Sequence, residues 1–137
     1  MAYFLAKTEP SVYSIEDLER DGRTTWDGVR NPQAVNAIRS MAPGDYVFIY
    51  HSGGESAVAG LARVLSPPRP DPKDTKSAVV DLAFVRRIEP RVPLSEIKKS
   101  GLFSDWSLVR QSRLSTMAAP AVFVDWLRRR PGAPEIP

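Results

Sequence analysis

Cysteine is absent from this chain, and histidine occurs once, as His51. Without thiols there is no disulfide framework, no thiolate nucleophile and no zinc–thiolate site. A single imidazole rules out a multi-histidine metal centre. Long apolar runs are missing too. No stretch approaches the ~20 consecutive apolar residues that span a bilayer, and Met1–Pro10 lacks the apolar core of a secretory leader. The expectation is a cytoplasmic location with no membrane contact. Charge of one sign is scarce: 19 Lys and Arg stand against 16 Asp and Glu, a net +3. That excess suits a polyanionic partner and suits an ordinary solvated surface equally well. Glycine-rich phosphate loops and the Gly-x-Ser-x-Gly nucleophile turn are lacking as well.

What is present suits one folded unit. A length of 137 residues, 42% of them hydrophobic, is enough for a single core. No internal repeat or linker interrupts it, so a single domain over residues 1–137 is expected. The 13 prolines, dense at Pro67, Pro68, Pro70 and Pro72, predict short elements joined by firm turns. Tyr3–Ala6 reads as a strand. Ser14, with Asp17 three residues on, predicts a capped helix that buries Ile15 and Leu18. Asn31-Pro32 opens a second helix, with a buried stripe of Ala34, Ile38 and Met41.

Tyr46–His51 is apolar on both faces and predicts a central strand. Val58–Leu65 and Val79–Val85 predict two more strands, with a proline-rich loop over Ser66–Lys76 between them. Ala119–Arg130 predicts an amphipathic helix with Val122, Phe123, Trp126 and Leu127 inward, followed by a loose Pro131-Gly132-Ala133-Pro134 tail. Long central strands with short peripheral helices predict an α+β fold whose mixed sheet is closed toward a small barrel.

The densest chemistry lies in Trp26-Asp27-Gly28-Val29-Arg30-Asn31-Pro32-Gln33. An aromatic plate, a carboxylate, a guanidinium and two side-chain amides meet there around a turn. Stacking on an aromatic face is worth about 1–3 kcal/mol per base, and amides and carboxylates read base edges through paired donors and acceptors. The plainer alternative is that Trp26 is core, Asp27 makes the turn and Asn31 is only a cap. His51, beside Ser52, is either a ligand-facing ring or a structural histidine. Lys7-Thr8-Glu9 forms either a charged cluster at a pocket mouth or an ordinary turn before Pro10. Arg110-Gln111-Ser112-Arg113-Leu114-Ser115 offers guanidinium forks suited to phosphate oxygens and base edges, or simple surface pairing.

Four segments resemble the EVE domain of the PUA-like superfamily, in family order and spacing over nearly the whole chain. They are Phe4–Pro10; Thr25–Asn31 with Gln33-Ala34; Gly44-Asp45 with Phe48–Ser52; and Leu108–Ser115. The resemblance implies a PUA-like, partly closed β-barrel with short helices around it. It also implies a pocket for a modified base, similar to that of the related YTH readers. By the same resemblance Trp26, Asn31, Gln33, His51, Ser52, Arg113 and Ser115 fall near that pocket, with Lys7 and Thr8 on the first strand. Asp27, Arg30, Arg110 and Leu114 complete the expected set.

Some positions depart from the family pattern. Phe4 stands where Trp is frequent, Pro32 where Tyr is, Val35 where Arg is, and Thr116-Met117-Ala118 replaces Val-x-Pro. The loss of the Tyr and the Arg weakens backbone contacts beside the pocket. The expected function is a binding module for a modified nucleobase in DNA or RNA, with an indole and an imidazole converging on one cavity. It is a binder rather than an enzyme, and no cofactor or metal is implied. An alternative is a small nucleoside or amide hydrolase of ASCH-like type using Lys7, Thr8 and Glu9. A third is an adaptor that binds a protein through its basic C-terminal helix.

Overall fold

The computed structural model describes residues 1–132 and 135–137. Seven strands and five helices follow in the order β1 (Tyr3–Thr8), α1 (Ile15–Asp21), β2 (Arg23–Trp26), α2 (Pro32–Arg39), β3 (Tyr46–His51), β4 (Ala57–Val64), β5 (Arg69–Asp71), β6 (Asp74–Pro93), α3 (Leu94–Lys99), α4 (Ser107–Arg110), β7 (Thr116–Ala118) and α5 (Ala121–Arg128). One seven-stranded sheet holds them in the order β2-β6-β4-β3-β1-β7, with β5 paired to β6. β1 runs parallel to β3 and every other pairing is antiparallel. The fold is therefore mixed α+β.

The mixed sheet with short helices matches the expected α+β class, whereas the expected partial closure toward a barrel is not completed by strand pairing. The hydrogen-bonded path does not return on itself, and the short strands β2 and β7 are its two ends. Helix α2 packs on β7 and on β6, the neighbour of β2, so a helix spans the interval that strand pairing leaves open.

The local causes are visible residue by residue. The Ser14 hydroxyl accepts from the Asp17 amide at 3.1 Å, and the Asp17 carboxylate accepts from the Ser14 amide at 2.9 Å, a reciprocal cap that starts α1. Asn31 Oδ1 accepts from the amides of Gln33 and Ala34 at 2.8 and 3.2 Å, and Pro32 occupies the first turn of α2. β3 is central as expected, lying between β1 and β4. Phe48 on it meets Phe123 of α5 edge to face, with ring centroids 5.6 Å apart. Val122, expected on the inner stripe of α5, is instead exposed at its first turn.

The third strand exceeds its expected span. β6 runs for 20 residues, through Arg86-Arg87 and past Pro90. Its register against β4 slips between the pairs Val58↔Val92 and Gly60↔Arg87, and such an irregularity bends a strand and re-aims its side chains. The proline-rich loop contains β5, which pairs Arg69 with Val79. At the C-terminus, Ala133 and Pro134 of the expected loose tail lie outside the described residues. Ile136 is buried, and its carbonyl accepts from Arg128 Nε at 3.1 Å.

Gly60 sits where β4 passes under α1. A Cβ built there would stand 2.2 Å from Ile15 Cδ1 and 3.1 Å from the Arg86 carbonyl oxygen. Ile15 is fully buried and has little room to retreat. Gly60→Ala is expected to destabilise the protein by about 1–3 kcal/mol through overpacking. Equilibrium urea unfolding checks this, and an unchanged midpoint would show that Ile15 can swing aside.

Candidate functional site

The C-terminal end of β1, the turn before α1, the last residues of β2 and the loop before β7 surround an open cleft of ≈ 420 Å³. This is within the roughly 300–1,000 Å³ usual for small-molecule sites. Trp26 closes β2, is held in register by Val80 of β6, and lies on the cleft wall. Tyr13 meets its ring edge-on, with centroids 6.4 Å apart and planes at 79°. After Trp26 the chain turns sharply at Gly28, whose φ of +76° an L side chain rarely adopts. The turn is pinned from behind, where the buried Ser77 hydroxyl donates to the Val29 carbonyl. This leaves Arg30 projecting at the rim, its side chain 82% exposed and 3.8 Å from Asp74. Thr25 beside Trp26 donates from Oγ1 to Asp81 at 2.8 Å. The Arg69 guanidinium and then this hydroxyl hold the Asp81 carboxyl below the usual carboxylate range.

The opposite wall comes from β1 and the approach to β7. The Lys7 amide donates to the Ser115 carbonyl at 2.7 Å, which ties the two elements together. Lys7 Nζ donates to the Ser112 carbonyl at 3.1 Å and stands 5.6 Å from the Tyr50 ring centroid. Burial lowers the Lys7 pKa. The Thr8 hydroxyl donates to the Tyr13 carbonyl at 2.8 Å. Its proton is thereby committed, and Glu9 is exposed and off the cleft wall. The Lys7-Thr8-Glu9 relay of the hydrolase alternative is not assembled.

Six of the expected residues share this cleft: Lys7, Thr8, Trp26, Asp27, Arg30 and Ser115. The others are placed elsewhere. His51 is fully buried, with Nε2 accepting from the Ile15 amide at 3.0 Å and Nδ1 3.0 Å from Glu55 Oε2. The expected convergence of indole and imidazole on one cavity is therefore corrected: the imidazole is the hidden link between β3 and α1. Ser52 donates its amide to the Thr8 carbonyl at 2.9 Å and is not on the wall. Asn31 spends its side-chain oxygen on the α2 cap, and Gln33 is exposed on that helix's first turn. Leu114 is core. Arg110, 3.9 Å from Asp105, and Arg113 are exposed off the wall.

The sequence reading missed Tyr13, Thr24 and Thr25, which also line the cleft. Two-residue alternation places Thr24 and Trp26 on one face of β2, so Thr24 had a signal. Tyr13 lies in an irregular turn and had none. A second opening, of ≈ 460 Å³ beside Trp106, is lined mainly by apolar groups such as Leu102, Phe103 and Val122. Trp106 Nε1 there is already donating to the Ala118 carbonyl at 2.9 Å. The Trp26 cleft joins an aromatic wall to a larger set of polar groups, among them Lys7, Thr8, Thr24, Asp27 and Ser115.

The family model for the EVE domain matches residues 2–129. Human thymocyte nuclear protein 1 is 34% identical, over 71% of this chain and 56% of that protein, so the chain spans about half the length of the curated relatives it matches. Among solved structures, a protein of Agrobacterium tumefaciens superposes with a TM-score of 0.88 at 32% identity, covering 98% of this chain and 100% of that one. Human THYN1 protein in complex with 5-methylcytosine containing DNA superposes with a TM-score of 0.83 at 29% identity, covering 96% and 99%.

Proposed function

The chain belongs to the EVE domain family, and on that premise we propose that it binds DNA by lodging a modified cytosine in the cleft beside Trp26. The observation that carries this reading is the cleft itself. It is open to solvent at Thr25, Asp27 and Arg30, of a volume suited to a nucleoside, and walled by an indole on one side and polar groups on the other. A base must leave its stack to enter such a site, at a cost of a few kcal/mol. Stacking against Trp26 offsets about 1–3 kcal/mol of that. Ser115, Thr8 and Lys7 line the same cleft as the indole, and in this reading their polar groups address the edge of the base. Val29 and Val12 contribute apolar surface for a methyl group.

Phosphate attraction is modest, from a net charge of +3 and from exposed Arg30, Arg110 and Arg113. It lends affinity without reading sequence and fades with salt. A titration of fluorescent duplexes with and without a single 5-methylcytosine, at two salt concentrations, tests the reading. The modified duplex is expected to bind more tightly at both concentrations, while both affinities fall in parallel as salt rises. Equal affinity for the two duplexes at each salt concentration would reject the proposal.

A further inference from the structure

Lys7 is an unusual wall for a cavity that holds a neutral base. Its ammonium has three donors and, among the described residues, one hydrogen-bond acceptor, the Ser112 carbonyl. No carboxylate forms an ion pair with it among the described residues, and its ring neighbour Tyr50 offers only a π face. Ser115 lies beside it, fastened by the backbone bond from Lys7. The Ser115 hydroxyl has one long contact, 3.5 Å to Thr116 Oγ1. Two ammonium protons and a hydroxyl thus remain without strong acceptors on one side of the cleft. Asp27, the one carboxylate on the wall, belongs to the rim turn after Trp26.

We infer that Lys7 and Ser115 form a subsite for an anionic oxygen group of the bound nucleotide. Resting on the base-binding reading above, this adds which chemical class the cleft prefers. The anion has two possible sources: a carboxylate carried by the base, as in 5-carboxylcytosine, or the phosphate next to the displaced nucleotide. Either would give the half-buried ammonium the charged partner that the protein does not supply. Hydrogen bonds with an ionised partner are about twice as strong as neutral ones. Burial already disfavours the charged lysine, which is the condition an anionic ligand relieves.

Lys7→Met keeps the aliphatic stem and removes the charge. The variant is expected to fold about as stably as the parent, because it keeps the apolar stem and gives up one exposed hydrogen bond, to the Ser112 carbonyl. Parent and variant are titrated with duplexes carrying cytosine, 5-methylcytosine or 5-carboxylcytosine. If the base supplies the anion, the parent prefers the carboxyl duplex to the methyl duplex by about tenfold, and Lys7→Met erases that preference. If the phosphate supplies it, Lys7→Met weakens all three duplexes alike and lowers the salt slope by about one. Lys7→Arg retains most of the affinity in either case. Lys7→Met binding every duplex as tightly as the parent overturns the inference while leaving the base-binding reading intact. Failure of the parent itself to distinguish modified from unmodified DNA overturns that reading instead.

Discussion

Trp26→Ala is expected to damage the fold and the binding together, and the two losses can be separated. Trp26 is only 9% exposed and belongs to the core cluster, with its ring against the edge of Tyr13. Truncation of a buried tryptophan costs about 3–5 kcal/mol, a large share of the ~5–15 kcal/mol that holds a small domain together. In the proposed reading the same ring is the plate on which a base stacks, so binding is expected to fall by a further ~1–3 kcal/mol, about 5- to 150-fold. Trp26→Phe preserves much of the apolar filling and reduces the stacking surface, so it is expected to stay folded and bind with an intermediate affinity. Urea unfolding gives the folded fraction of each variant, and anisotropy titrations corrected for it give intrinsic affinities. Corrected affinities equal to the parent's for both variants would assign Trp26 to the core alone.

The position of Trp26 bears on what the sequence could and could not convey. Trp26 has two readings in the sequence, core or plate; its ring belongs to the core cluster and also lines the cleft, and the plate is the part that the variants above test. Periodicity sufficed for β3, whose apolar residues on both faces require cover from both sides. It failed for β6, because Arg86, Arg87 and Pro90 look like the end of a strand. They are tolerated where the register with β4 slips and the side chains meet solvent or acids of α1, as Arg87 meets Glu19 at 2.7 Å. The sheet stays open between the two short strands at the ends of its path, β2 and β7. No local signal states whether β2 and β7 pair with each other or leave room for α2.

Among the site residues, adjacency in sequence misled most where a backbone bond consumed a side chain. Asn31 lies close to Trp26 along the chain, yet its oxygen is spent on the amides of Gln33 and Ala34. Conversely, Lys7 and Ser115 are far apart in sequence, and the 2.7 Å bond that joins them arises from the ladder of β1 with the segment entering β7. Leu114 and Ser115 are neighbours with opposite fates, one core and one cleft, as expected where consecutive side chains of an extended segment point to opposite sides.

Loss of the His51 imidazole is expected to weaken the fold and spare the cleft, the opposite of what a ligand-facing histidine would do. Nε2 accepts from the Ile15 amide, so the ring proton sits on Nδ1 and is donated to Glu55. Arg91 Nη1 lies 3.1 Å from the same Nδ1. Two donors cannot bond each other, so that approach follows from the ion pairs of Arg91 with Glu55 and Glu16. His51→Ala leaves the Ile15 amide buried without an acceptor, a loss of about 1–3 kcal/mol, and opens a void beneath α1. A total of about 2–5 kcal/mol is expected.

His51→Gln can accept from Ile15 and donate to Glu55, so it should recover part of that loss, and urea midpoints should run parent, Gln, Ala. Acid reports on the same cluster. Burial alone would raise the Glu55 carboxyl, but hydrogen bonds from Arg91 and His51 outweigh it and leave its pKa lowered. A carboxyl depressed in the folded state contributes stability that is present in full above the unfolded value, near ~4.3. That contribution is lost as pH falls through the lower folded value. Glu55→Gln should therefore flatten the decline in unfolding free energy below about pH 4.5. DNA affinity per folded molecule should stay within about twofold of the parent in His51→Gln, because the ring never reaches the cleft. A stable His51→Gln protein that no longer binds modified DNA would restore the histidine to the site and displace the buried-link assignment.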